Sequence, residues 1–477
     1  MIIYYLRTFI SGRKKRKQYM NVKKTINLLA ALMLVSQSWS QQKQWTLENC
    51  IRHALDNNIQ IKQQDLQTKY QKNALDLAKL KLLPTINGTA SHSYSFGRAL
   101  DQTTYEYTEN ETIMSDNFYI GSTLTLFNGL QNYNSIKKSS YELRAGGEDL
   151  QTIKDNVALN VAMAYLQILL NREIVNATEN QLGITLQQIE KTRKLVEAGS
   201  VAIGNLLQIE AQAAQEELQL VNMKNQLDIS YLNLAQLLEL QSPEGFQVVI
   251  PPVEIDTNYV LSGNVTDIYN VAVTGRPEIK SAEFKLSASE YDLKIARGGR
   301  SPRLSMNNSF STGYSDIRKK LLGIDPVTGP VYGKYPFADQ VNDNINYGIA
   351  FNLNVPILNG WQVNKNISNA KLSIENGKFT LDAARKQLYK NIQQAYADAG
   401  AALKKYNASL RAVKSAEESF RYSEQRFNVG LVTPVDYNAA KTQLLRAQSE
   451  LSQSKYEFVF KIKVLDFYKG IPISLPK

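Results

Sequence analysis

A chain of 477 residues with 43% apolar content can bury a substantial core, yet after about residue 36 it has no run of 18 uninterrupted apolar residues, which excludes a membrane-spanning helix there. The formal charge of +11 would suit a nucleic-acid binder if it were spread through the fold. It is concentrated instead: residues 1–40 hold Arg7, Arg13, Lys14, Lys15, Arg16, Lys17, Lys23 and Lys24 and no Asp or Glu, which leaves +3 for the remainder and removes nucleic acid as a partner.

Residues 1–40 have the layout of a secretory signal peptide. Lys23 and Lys24 lead into the apolar run 26–35, and Ser38-Trp39-Ser40 offers small residues for cleavage before Gln41. Met20 stands just ahead of this signal and is an alternative start to Met1; the competing arrangement is a retained N-terminal anchor. Cys50 is the only cysteine, and Glu48-Asn49 before it do not resemble the small residues that precede a lipid-modified cysteine. Cys50 therefore reads as a small buried apolar residue.

The body of the chain is duplicated. Leu75, Ala78 and Pro84 recur as Leu293, Ala296 and Pro302 at an offset of 218. Further on the offset is 231: Asn128-Gly129 matches Asn359-Gly360, Ala164-Tyr165 matches Ala395-Tyr396, Gly199 matches Gly430, and Gln212 matches Gln443. The 13 extra residues fall between Tyr314 and Ile345. The repeats are 41–240 and 266–477, and the linker 241–265 carries Pro243, Pro251 and Pro252.

In chain order, each repeat reads as helix, strand, loop, strand, long helix, turn, return helix. The first has a helix over 46–83, strands over 85–96 and 118–127, a long helix over 131–197 and a return helix over 204–240. The second has a helix over 266–300, strands over 303–314 and 345–357, a long helix over 362–428 and a return helix over 434–468. Residues 345–355 alternate strictly, with Ile345, Tyr347, Ile349, Phe351, Leu353 and Val355 opposite Asn346, Gly348, Ala350, Asn352 and Asn354. Residues 303–314 repeat the rule, and 85–96 and 118–127 follow it more loosely.

Strands of about ten residues with one oily and one polar face match a transmembrane barrel around an aqueous lumen. A soluble sandwich with one buried face is the competing fold. Open strand edges are not tolerated in lipid, so several chains must close the barrel, and three chains supply twelve strands. The long helices would each reach about 100 Å. Leu388, Ile392, Ala395, Ala399, Ala402, Tyr406, Leu410 and Val413 advance by threes and fours, and Val157, Val161, Ala164, Ile168, Val175 and Leu182 echo them, which fits narrow knobs-into-holes contacts.

The layout from Trp45 to Ile473 resembles the TolC-type outer-membrane efflux protein family. The resemblance is carried by the opening WTLENCIRHALDNN, the pair LLPTI and SPRLS, the strand ends LFNG and LNG, the turns EAGSVAIGNLLQ and FNVGLVTPVDYN, and the closing VLDFYKGIPI. It implies an α+β membrane protein: a homotrimer with a twelve-stranded barrel in the outer membrane, four strands per chain, continuous with a periplasmic helical tunnel. It also implies passive conduction from a periplasmic adaptor and an inner-membrane transporter to the exterior, with no cofactor.

By that resemblance the tips Gly199, Ser200, Val201 and Gly430, Leu431, Val432 are where an adaptor docks, although the glycines also serve as helix C-caps. Asp436 falls at the position of an aspartate ring lining the periplasmic entrance, or else stabilises a helix N-terminus. The next ring position is Ala439, the family's usual Tyr and Arg are Phe427 and Val432, and its first-tip Asp is Asn205. Gating by those salt links is thus put in doubt, and apolar contact is the alternative. Ile349, Phe351 and Leu353 are expected to face lipid.

An enzyme would need a nucleophile elbow, a phosphate loop or a zinc motif, and none is present; His53 and His92 are too few and too far apart for metal-ligand spacing. A periplasmic coiled-coil adaptor or scaffold would share the signal and the heptads but has no use for two-faced strands.

Overall fold

Thr46 opens the first helix by accepting a hydrogen bond from the backbone N–H of Asn49 at 3.2 Å, which satisfies a donor the helix itself leaves unpaired. The structure, a computed structural model, describes residues 45–474 apart from 99, 101–104, 108, 243–244, 252–254, 256–258 and 262. The expected signal segment, 1–40, lies outside the described residues, as does part of the linker.

The segments expected as single helices over 46–83 and 266–300 are each broken in two: α1 (Leu47–Asn57) and α2 (Ile59–Leu80), then α5 (Val265–Gly275) and α6 (Pro277–Gly298). The breaks are equivalent under the offset of 218, at Asn58 and Arg276. Their causes differ. Asn58 leaves the helical region and its side chain caps α2 at Gln60 N and Ile61 N, whereas Arg276 is held extended, at ψ 130°, by the proline that follows it. Pro84 and Pro302 then end the helical path, and β1 (Thr85–Gly97) and β3 (Arg303–Ser315) begin one residue later.

The other strands are β2 (Glu111–Phe127), β4 (Lys319–Asp325), β5 (Gly329–Lys334) and β6 (Asn346–Asn354). Two expected boundaries need correction. β2 starts seven residues earlier than 118, and β6 stops at Asn354, short of Pro356, which has no N–H to offer a ladder. The longer loop of the second repeat forms the β4–β5 hairpin and a short helix, α7 (Phe337–Asp343). Helix α7 packs on β3, with the Thr312 hydroxyl donating to the Val341 carbonyl at 2.5 Å and the Phe337 ring 5.2 Å from Tyr314.

The main sheet is antiparallel in the order β1-β2-β3-β6. Its register sorts the side chains. Ile86, Ile120, Phe310 and Tyr347 share one face with Phe118, Leu124, Met306, Ile349, Phe351 and Leu353; Asn87, Ser91, Asn117, Thr123, Asn307, Ser309, Asn346 and Asn352 share the other. Polar residues interrupt the oily face where Ser122 lies opposite Asn308 and where His92 Nδ1 lies 2.5 Å from Asp116 Oδ1 across β1 and β2. No protein covers the oily face near Ile349, Phe351 and Leu353, which are 72, 63 and 65% exposed.

Each strand pair returns into a helix through a matched turn. Gly129 and Leu130 have φ of 66° and 61°, and Gly360 and Trp361 have 58° and 62°, a left-handed pair that turns the chain from strand into α3 (Gln131–Glu197) and α8 (Gln362–Asn428). Both long helices have 67 residues and the expected limits. The return helices are α4 (Ile203–Leu237), which ends three residues before the expected 240, and α9 (Pro434–Tyr468).

Near the strands the helical wall runs α2, α3, α6, α8; at the far end it runs α4, α3, α9, α8. Its apolar stripe is buried along α8 at Leu388, Ile392, Ala395, Ala399, Ala402, Tyr406 and Val413, while Leu410 points outward. On α3 the stripe is not narrow. Val161, Ala162, Tyr165, Leu166, Ile168 and Leu169 are all buried, because α1, α4 and α9 pack around this stretch, with Cys50 fully buried among them.

Candidate functional site

The two helical hairpins end in the same chain reversal. In the first, Gly199 (φ 71°) donates to the Val196 carbonyl at 2.9 Å and Ser200 to the Leu195 carbonyl at 2.9 Å. In the second, Gly430 (φ 75°) donates to Phe427 at 3.0 Å and Leu431 to Arg426 at 2.8 Å. Both are Schellman motifs, in which a left-handed residue lets the last carbonyls of a helix find donors.

The helices that follow start differently. Helix α4 begins after Ala202 with no side-chain cap. Helix α9 begins with a full capping box: the Asp436 N–H donates to Thr433 Oγ1 at 3.2 Å, and Asp436 Oδ2 accepts from the Thr433 hydroxyl at 2.8 Å and its N–H at 3.4 Å. Pro434 sits at the first helical position, where its missing N–H costs nothing.

Between the tips lies a cleft of about 730 Å³. Val201, Asn205, Phe427, Gly430, Leu431, Val432 and Asp436 line it, so most of the residues singled out at the entrance and tips come together; Gly199 and Ser200 sit at the exposed apex outside it. Lys191, Arg426 and Asp436 supply the charges. Asp436 is exposed.

Two contacts tie the hairpins to each other. Lys191 Nζ donates to Asn428 Oδ1 at 2.7 Å. Phe427 stacks on Tyr437 at 4.7 Å and also packs against Ile189, Ile209 and Ala213 of the first hairpin. Burial pushes the Tyr437 hydroxyl up to about 12, with Glu424 and Glu216 adding to the shift.

Sequence reasoning missed a second polar group farther along the same helices. Lys441 of α9 is 2% exposed, with Glu216 of α4 and Thr185 of α3 buried beside it. The signal was present: Tyr437, Lys441, Leu444, Ala447 and Leu451 advance by threes and fours, as do Ile209, Ala213 and Glu216, which puts both charges at inward positions.

Residues 50–239 and 268–459 match the outer membrane efflux protein family. The chain belongs to this family. Escherichia coli TolC is 23% identical over 442 residues, covering 92% of this chain and 84% of TolC; PrtF, a protease secretion protein of Dickeya chrysanthemi, is 22% identical, covering 85% and 84%. Among solved structures, the outer membrane protein VceC of Vibrio cholerae superposes with a TM-score of 0.71 at 16% identity, covering 89% of this chain and 96% of VceC. The Campylobacter jejuni CmeC outer membrane channel gives 0.72 at 17%, covering 89% and 85%. As a member of the efflux family the chain has the channel fold, and the coiled-coil scaffold is set aside.

Proposed function

We propose that three copies of this chain form an outer-membrane duct that passively conducts cargo from a periplasmic adaptor and an inner-membrane pump to the exterior. Twelve strands, four per copy, would close the barrel around the hydroxyl- and amide-rich face, and the oily face would meet lipid. The observation that carries this reading is a sheet whose apolar face is uncovered around Ile349, Phe351 and Leu353 and which has two unpaired edges, β1 and β6.

The helical wall supports it independently, because it also ends in two edges, α2 and α8. Within one chain α3 packs on α6, where Tyr141 stacks on Tyr291 at 5.5 Å and Lys138 pairs with Asp292 at 2.8 Å. Under the repeat offsets the corresponding helices are α8 and α2, whose Leu372, Phe379, Leu66 and Tyr70 are exposed. An α8-to-α2 contact between neighbouring copies would repeat the α3-to-α6 contact and close the ring.

We assign adaptor docking to the two glycine tips and the closed entrance to the cleft between them, held in part by Phe427 and Tyr437. PrtF is named for protease secretion and OpmQ of Pseudomonas aeruginosa for pyoverdine export, so the relatives' cargo spans protein and small molecule, and cargo choice is assigned to the pump. Detergent-extracted protein should sediment as a trimer and conduct ions in planar bilayers. A stable, water-soluble monomer would overturn the proposal.

A further inference from the structure

About 10 Å along α9 from Pro434, at 1.5 Å per residue, the Lys441 side chain enters the seam between α3 and α4. It is 2% exposed, its Nζ donates to the Gln181 carbonyl at 3.0 Å and to the Thr185 hydroxyl oxygen, and it lies 3.7 Å from Glu216 Oε1. Glu216, 5% exposed, accepts from Gln212 Nε2 at 2.9 Å, from Gln181 Nε2 at 3.3 Å and from the Thr185 hydroxyl. Five residues on three helices thus share one dry polar cluster.

Charges at such positions oppose stability. Burial pushes the Lys441 ammonium below its usual range, and Glu216 pushes back only in part. Replacing a buried ion pair by apolar side chains is often neutral or stabilising, whereas removing one partner strands the other charge away from water. What such a pair supplies is one preferred alignment: Lys441 can reach Gln181, Thr185 and Glu216 together only when α9 is seated in one register against α3 and α4.

The seam matters because α9 belongs to the second hairpin, while α3 and α4 make the first. Farther from the tips, Lys455 Nζ and the Tyr456 hydroxyl both donate to Glu173, at 3.3 and 2.9 Å, but the Lys455 and Glu173 side chains are 24 and 35% exposed, so water reaches that ion pair. At the tips themselves Lys191 and Asn428 are exposed. Lys441 and Glu216 are the buried charged link between the hairpins among the described residues.

We infer that Lys441, Glu216 and Thr185 form a buried lock that holds the second tip against the first, so that parting the tips requires this pair to break. The inference rests on the proposed entrance and names what keeps it shut. Packing of Phe427 on Ile189, Ile209 and Ala213 aligns the tips, and the lock sets the threshold for separating them.

The test reads tip separation directly. Cysteines replacing Lys191 and Asn428 in the full trimer, joined by a short bifunctional maleimide, report how long the tips stay together; native Cys50 is buried. Adding Glu216→Gln, which strands the Lys441 charge, should slow cross-linking about tenfold, and the dry replacement Lys441→Met with Glu216→Met should restore the parent rate. Should Glu216→Gln fail to assemble, Thr185→Val keeps both charges, removes the hydroxyl they share, and should slow the reaction less. Parent-rate cross-linking in both Glu216→Gln and Thr185→Val overturns the lock, as does equal slowing in the single and the double variant, which would mark a packing role. Cross-linking needs no ion flow, so the expected pattern in a trimer that does not conduct would sink the duct and leave the lock standing.

Discussion

The sheet and the helical wall solve the same problem with different completeness. Around Leu388, Ile392, Ala395 and Ala399 the apolar stripe of α8 finds protein partners inside one chain, Leu388 and Ile392 being 2 and 0% exposed. In β6 the equally apolar Ile349, Phe351 and Leu353 find none. An uncovered apolar stripe would be a defect for a sheet in water, and it is an asset only where the surroundings are themselves apolar. Under the proposed duct one molecule meets two solvents, and the switch falls at Pro84 and Pro302, where helix gives way to strand.

The strongest way to break that comparison is to charge each face of β6 in turn. Phe351→Arg puts a guanidinium on the oily face and should cost on the order of 2–4 kcal/mol if that face meets the membrane interior, lowering the yield of assembled trimer. Asn352→Arg, one residue away on the polar face, should assemble normally. Heat-resistant trimer in extracted outer membranes measures both; equal losses at the two positions would return the sheet to water.

Much of this was legible beforehand because duplication and periodicity are global signals. The long helices over 131–197 and 362–428 were readable from two copies of one spacing rule, and the strands from strict alternation around Phe351. The helix breaks were not. Pro277 is a local signal for one of them, but Asn58 breaks its helix through a capping hydrogen bond that an asparagine elsewhere would not form. The first half of β2 is hidden from the pattern because Glu111, Thr112, Ser115, Asp116 and Asn117 blur the alternation, and register against β1 holds them in strand nonetheless. At the tips, Schellman glycines were foreseeable from Gly199 and Gly430, whereas the cleft and the Lys441 cluster require knowing that α9 lies against α3 and α4.

A smaller effect should separate the two regions by pH. Asp398 of α8 accepts from Lys461 Nζ of α9 at 2.6 Å, both side chains being 29% exposed, and this bond holds its carboxyl below the usual 3.8. A depressed folded value means that the contribution is present above the unfolded value and disappears as pH falls through the folded one, so the α8–α9 contact should weaken only below pH 3.8. Asp398→Asn should flatten the acid limb of thermal unfolding measured by helical circular dichroism. An unchanged acid limb would show that the pair contributes nothing to the wall.

The smallest expected effect lies at Asp436, where the chain's own needs and those of a trimer coincide. Its carboxylate completes the capping box with Thr433 and lies near the positive end of α9, which accounts for its presence with no partner copy. We also propose that threefold symmetry brings three such carboxylates to the entrance, where they would attract cations. Asp436→Asn keeps an oxygen able to accept from Thr433 and removes the charge, so the cap should lose about 0.3–1 kcal/mol. The ring, if formed, should lose cation preference and sensitivity to multivalent block in bilayer recordings. These readouts divide the two roles: lower thermal stability with unchanged selectivity would leave Asp436 as a cap alone, serving α9 within one chain, whereas a shift in reversal potential requires the neighbouring copies that the uncovered sheet already calls for.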